Sequence, residues 1–138
     1  MVAFMVEKLL KKKKLRFTAF RNEVLNVFID SPSAISINDI EDKLKQFDRT
    51  TLYRTIKTFK EKGLIHEIIM PGDIKKLALC KDGGSSKSQM DTSQHIHFRC
   101  KMCENIFCLD LHEFPEINIP KFKLDSIEIQ GTGRCNAC

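Results

Sequence analysis

His95-Ile96-His97-Phe98-Arg99-Cys100-Lys101-Met102-Cys103-Glu104-Asn105-Ile106-Phe107-Cys108 is the stretch from which the rest of the chain is read. It holds two of the four histidines and three of the six cysteines. Cys100 and Cys103 form a C-x-x-C pair, and Cys135 and Cys138 form a second one at the end of the sequence. The two-residue spacer turns the backbone so that both sulfurs of a pair face one ion. Two such pairs supply the four thiolates of a closed tetrahedral zinc site. One pair alone would suit a thiol–disulfide couple equally well; two pairs in so short a chain favour structural zinc.

The same stretch points to a second centre. His95 and His97 are two residues apart, so on an extended strand they share a face. Cys108 lies on the apolar run Ile106-Phe107-Cys108-Leu109, which reads as a return strand after the Cys100–Cys103 turn. Paired strands would bring the thiol to the imidazoles, and nitrogen and sulfur donors together suit a transition metal. The alternative is two surface histidines and a small buried thiol, since free cysteine packs well in cores.

With 138 residues the chain has room for one domain or two very small ones, and its 42% hydrophobic content is enough for packed cores. No apolar run approaches the ~20 residues of a membrane span. The apolar residues 1–6 precede the lysines at 11–14, the reverse of a secretory signal, so six cysteines are expected in a reducing cytoplasm. Charge is uneven. Residues 1–79 carry 16 Lys/Arg against 10 Asp/Glu, whereas residues 80–138 carry 7 against 8. A basic first part and a neutral, cysteine-rich second part suit nucleic acid and metal respectively, although a solvated lysine face would give the same imbalance.

Working outward from the metal stretch, residues 5–14 read as a short basic helix. Thr18 reads as the N-cap of a second helix with Val24, Leu25, Phe28 and Ile29 on its inner face. Ser36 and Asp39 have the spacing of a capping box for a third helix, striped by Ile37, Ile40, Leu44 and Phe47. A fourth helix runs from Asp48 or Arg49 to about Lys62, stopped by Gly63, with Leu52, Ile56 and Phe59 inward. That leaves Arg49, Thr50, Tyr53, Arg54 and Lys57 facing out, as in the second helix of a helix-turn-helix that enters a DNA major groove. Apolar runs on either side of Pro71-Gly72-Asp73 read as a hairpin wing, from 64 to 80. The expected organisation is a winged-helix DNA-binding domain at 1–80, a flexible hinge at 81–94 and a metal-binding domain at 95–138. Pro115 and Pro120 argue against a long helix between residues 111 and 123. Residues 122–129 are expected to form a strand ending before Gly131 and Gly133. His66 and His112 each read as surface histidines.

In this order the motifs resemble the ferric uptake regulator family over nearly the whole chain. Leu15-Arg16-Phe17-Thr18, followed by Arg21, is similar to the family's opening L-R-x-T-x-x-R. Thr51-Leu52-Tyr53-Arg54-Thr55-Ile56 is similar to its recognition helix, Gly63-Leu64-Ile65 to the start of its wing, and the histidine and cysteine pattern to its metal core. The resemblance implies an α+β fold, a winged helix-turn-helix followed by a small α/β dimerisation domain. It implies a homodimeric, metal-dependent repressor of metal uptake genes that binds palindromic double-stranded DNA and is not an enzyme. It implies structural Zn2+ on Cys100, Cys103, Cys135 and Cys138, and base and backbone reading by Tyr53 and Arg54. Arg16, Arg49, Thr50, Thr51 and Lys57 are the further DNA contacts expected.

Departures from the family pattern select a branch. Cys108 stands where iron- and peroxide-sensing members usually carry a carboxylate. Ser33-Ala34-Ile35 lacks a histidine common in those branches, and Cys80 is similar to the cysteine ligand of zinc uptake regulators. A regulatory site of Cys80, His95, His97 and Cys108 would favour Zn2+ over Fe2+ or Mn2+. An iron or peroxide regulator is the alternative, and a zinc-ribbon thiol oxidoreductase a more distant one. Glu104 replaces the usual glycine after the first cysteine pair, which predicts an altered turn. The two prolines predict a shortened dimerisation helix.

Overall fold

The computed structural model describes residues 2–79, 95–110, 116–124 and 127–138, with backbone alone at 2–4, 95 and 110. Two compact units divide the chain, one within Met1–Ser85 and the other within Ser86–Cys138. The hinge expected at 81–94 lies outside the described residues, as do Cys80 and His112. No helix among the described residues is long and apolar enough to cross a membrane.

The first unit contains α1 (Val2–Lys12), α2 (Ala19–Ile29), α3 (Ile37–Lys43), α4 (Arg49–Glu61), β1 (Ile65–Met70) and β2 (Ile74–Leu79). Helix α1 starts at Val2, earlier than residue 5, and Val6 and Leu10 are its buried residues. Helix starts follow the predicted chemistry. Thr18 Oγ1 accepts the Arg21 N–H at 3.1 Å, and Ser36 and Asp39 close a reciprocal capping box at 2.9 and 3.1 Å. Asp48 accepts from both the backbone N–H and the hydroxyl of Thr51. These bonds, the backbone one foremost for each, hold the Asp48 and Asp39 carboxyls below the ordinary carboxylate range.

Helix α4 ends in a Schellman motif. Gly63 takes φ 74°, its N–H donates to Lys60 O, and the Leu64 N–H donates to Phe59 O. That reversal turns the chain into β1 and buries Leu64 and Phe59 together. The β1–β2 hairpin is antiparallel from Ile65↔Leu79 to Met70↔Ile74, and Gly72 and Asp73 supply the positive φ its turn requires. A bridge from Ile35 to Leu77 ties the segment before α3 to the hairpin. Around Val24, Leu25, Ile40, Leu52, Ile56, Phe59, Leu64 and Ile65 lies one apolar core, which fixes the orientation of α4. His66, expected at the surface, is half-buried on β1.

The second unit is a sheet of order β4-β3-β5, with β3 (His95–Cys100), β4 (Ile106–Asp110) and β5 (Ile129–Gly133). The return strand pairs as expected, antiparallel, with His97 opposite Cys108 and His95 opposite Asp110. The third strand differs from the expectation of a strand over 122–129. It begins at Ile129, runs through Gly131 and Gly133, and lies parallel to β3. Bare glycine fits here because Ile96 and Phe98 of β3 lie over that strand. A Cβ at Gly131 would sit 3.0 Å from Ile96 Cδ1, and one at Gly133 would sit 3.3 Å from Phe98 Cε2. No helix occurs among the described residues between 111 and 124.

Candidate metal centre and nucleic-acid interface

Strand direction assembles the cysteine site. Parallel pairing puts the C-terminal ends of β3 and β5 side by side, Cys100 opposite Gly133, and the Lys101 N–H donates to Gly133 O at 2.7 Å. Each strand then turns into its own C-x-x-C pair at the same edge of the sheet. The sulfurs of Cys100, Cys103, Cys135 and Cys138 all lie within 4.8 Å of one another, and Cys103 Sγ is 3.8 Å from Cys135 Sγ. Tetrahedral coordination at about 2.3 Å per Zn–S bond requires sulfurs about 3.8 Å apart, so the donor set fits zinc. All four cysteines are free thiols.

Backbone amides prepare one sulfur for its charge. Cys100 Sγ accepts from the N–H groups of Cys103 at 3.5 Å, Cys135 at 3.4 Å and Met102 at 3.4 Å. Those donors, Cys103 first, lower its pKa to about 6, the direction a metal ligand needs. Cys138 moves the other way, to about 12, raised first by its hydrogen bond with the Cys135 sulfur and then by partial desolvation. A divalent cation among the four would remove that mutual opposition.

At the first turn Glu104 keeps the left-handed conformation that glycine would supply, with φ 62°. The Glu104 N–H donates to Cys100 O and the Cys100 N–H to Asn105 O, both at 3.0 Å, so the hydrogen bonds of the turn hold a side chain where L-residues pay strain.

Of the four residues expected in a regulatory site, the structure brings together His97 and Cys108. They face each other across β3 and β4 with donor atoms within 4.8 Å, His97 buried and Cys108 half-buried. His95 is placed by its backbone alone, and Cys80 falls outside the described residues.

On the first unit, α4 separates its two faces as predicted. Leu52, Ile56 and Phe59 are buried, whereas Arg49, Thr50, Thr51, Tyr53, Arg54 and Lys57 are exposed. Tyr53, the single tyrosine, is 45% exposed. Arg49 makes a loose ion pair with Glu41 at 3.7 Å, and Arg16 is exposed just before α2. Sequence reasoning missed a cavity of about 330 Å³ lined by Arg16, Thr18, Phe20, Arg21, Thr51 and Thr55. In the sequence Thr18 reads as a helix cap, and Arg21 only as part of the family's opening motif.

A winged helix-turn-helix unit joined in one chain to a cysteine-knuckled sheet defines a class, the regulator that couples a DNA-binding fold to a metal centre. Residues 12–131 match the ferric uptake regulator family. The chain belongs to that family, and is accordingly a metal-dependent transcription regulator and not an enzyme. Among its curated relatives, the peroxide operon regulator of Bacillus subtilis (strain 168) is 26% identical over 141 residues, covering 94% of this chain and 88% of its own. The ferric uptake regulation protein of Staphylococcus epidermidis is 24% identical over 139 residues, covering 95% and 92%. Among solved structures, a zinc uptake regulator complexed with zinc and DNA superposes with a TM-score of 0.66, at 22% identity and 99% and 91% coverage. That likeness establishes the fold.

Proposed function

We propose that the chain is a zinc-responsive, homodimeric repressor of metal uptake genes that binds palindromic duplex DNA through α4. The observation that carries this reading is the pairing of His97 with Cys108 beside a complete four-cysteine site. A thiolate in place of a carboxylate suits zinc better than the harder Fe2+ or Mn2+. His95 and Cys80 are the further donors of the regulatory site. The four-cysteine site is the structural one, and zinc there would crosslink the ends of β3 and β5. Arg54 and Tyr53, with Arg49, Thr50, Thr51 and Lys57 beside them, are the groove-facing residues, and Arg16 adds a contact from the segment before α2. Regulation is population shift, since metal that binds one arrangement of the protein more tightly enriches the form whose two helices match two half-sites.

The curated relatives named for iron and peroxide supply the competing reading. One titration separates the two. Duplex binding by protein holding only its structural metal is followed under buffered Zn2+, Fe2+ and Mn2+. Zinc is expected to activate binding, and Cys108→Ser to weaken that activation about tenfold or more while structural zinc content stays unchanged. A Cys108→Ser protein that answers zinc like its parent removes the support for a zinc sensor and leaves the iron or peroxide reading ahead.

A further inference from the structure

We propose that the cavity between the start of α2 and the start of α4 is a phosphate site, filled by one internucleotide phosphate of bound duplex and organised by Arg21. The proposal rests on the DNA-binding reading above and adds a residue which that reading did not use. Two of the six lining residues are arginines and none is acidic. The Arg21 guanidinium is already fixed, because its Nη1 donates to Arg16 O at 2.7 Å. One bond spent there leaves the rest of its donor fork for an incoming oxygen, and the same bond holds the segment carrying Arg16.

Other polar groups around the cavity are arranged consistently. Thr18 Oγ1 accepts the Arg21 N–H, which leaves the hydroxyl proton to donate. Thr55 Oγ1 donates to Thr51 O, and Thr51 Oγ1 to Asp48, so those two hydroxyls are spent within α4 and its cap. Donors toward an anion therefore come from the Arg16, Thr18 and Arg21 side, where the amino end of the 11-residue α2 adds its partial positive charge. Thr51 belongs both to this lining and to the exposed first turn of α4. An anion held here would sit beside the base-facing residues, where the backbone of a duplex flanks a helix lying in its groove.

The test uses full-length, metal-loaded protein and measures operator and scrambled duplex affinity across a salt series. Arg21→Lys should keep the parental slope of log K against log salt, whereas Arg21→Gln, which removes one contact from each half-site of the dimer, should reduce its magnitude by about 2. The Gln variant should weaken both duplexes by the same factor. A Gln variant that binds duplex with the parental slope overturns the proposal. Duplexes carrying single neutral methylphosphonates keep the question decidable on the parent alone, should the variants not fold. One phosphate per half-site should then reduce the slope by about 1 when neutralised, and its absence overturns the proposal.

Inorganic phosphate distinguishes the two sources of the same chemistry. At matched ionic strength it should compete with duplex no better than chloride does. Phosphate-specific competition that Arg21→Gln abolishes would assign the cavity to the free anion and overturn the duplex assignment. A parent that binds no duplex at low salt overturns the DNA-binding reading together with this one. A parent that binds, with Arg21 silent, overturns this one alone.

Discussion

The two units of this chain are held together by different physics. In the first, fifteen buried apolar residues from Val6 to Leu77 form a continuous core, with large side chains such as Phe59, Leu25 and Leu52 at no exposure. In the second, the buried apolar side chains among the described residues are Cys100 and Ile106. Phe122 is 77% exposed and Met102 63%, and Ile117, Ile119 and Leu124 also face outward. So little interior among the described residues leaves packing a small share of what must offset the conformational entropy of the sheet. The first unit is therefore expected to fold on its own core, and the second to depend on what binds it. Metal on four thiolates contributes folding free energy directly, and a second copy of the chain would cover apolar surface of this kind.

The largest expected effect would break the comparison outright. Deleting residues 135–138 removes half the thiolates, so the second unit should lose its structural zinc and the amide exchange protection of β3 and β5. The α1–α4 amides should stay protected, because none of their core lies in the removed segment. A truncated chain with full zinc content and an intact sheet would show that the thin core suffices.

Second in size is the reverse experiment. Phe59→Ala should cost the first unit about 3–5 kcal/mol in denaturant unfolding while zinc content stays at the parental value. Loss of zinc alongside that destabilisation would mean that the two units fold as one.

Arg54→Ala sharpens the comparison within the first unit. Its side chain is exposed on the face of α4 opposite the core. Thermal unfolding should therefore be unchanged within error, whereas operator affinity should fall by about 1–3 kcal/mol. Melting without a change in affinity would mean that α4 is oriented the other way round.

The smallest effect is electrostatic and confined to helix starts. Asp39 and Asp48 have folded pKa values below the ordinary 3.8, so their capping bonds contribute fully above that value and are lost as pH falls through the depressed one. Acid unfolding followed by the helix signal should show the first unit weakening below about pH 4, and Asp39→Asn combined with Asp48→Asn should flatten that dependence. An unchanged acid limb in the double variant would remove the caps from the account.

Much of this molecule was legible in its residues because the signals are local. Thr18 and Ser36 cap the helices they were expected to cap, Gly63 and Gly72 turn the chain where positive φ is required, and the Leu52-Ile56-Phe59 stripe orients α4. Two C-x-x-C pairs are likewise local, each set by one turn of backbone. What sequence could not determine was decided by pairing over long range. β5 runs through glycines that local propensity assigns to a turn, since only the presence of Ile96 and Phe98 above them makes a bare strand favourable. Its parallel registration with β3 brings two distant cysteine pairs to one sheet edge, and the antiparallel β4 sets Cys108 against His97. The cavity at Arg21 exists because α2 and α4 pack with their first turns adjacent. Propensity and capping act over three or four residues and are written in the chain. Register and the meeting of distant termini depend on which side chains fill the space between them, and only the folded structure fixes that.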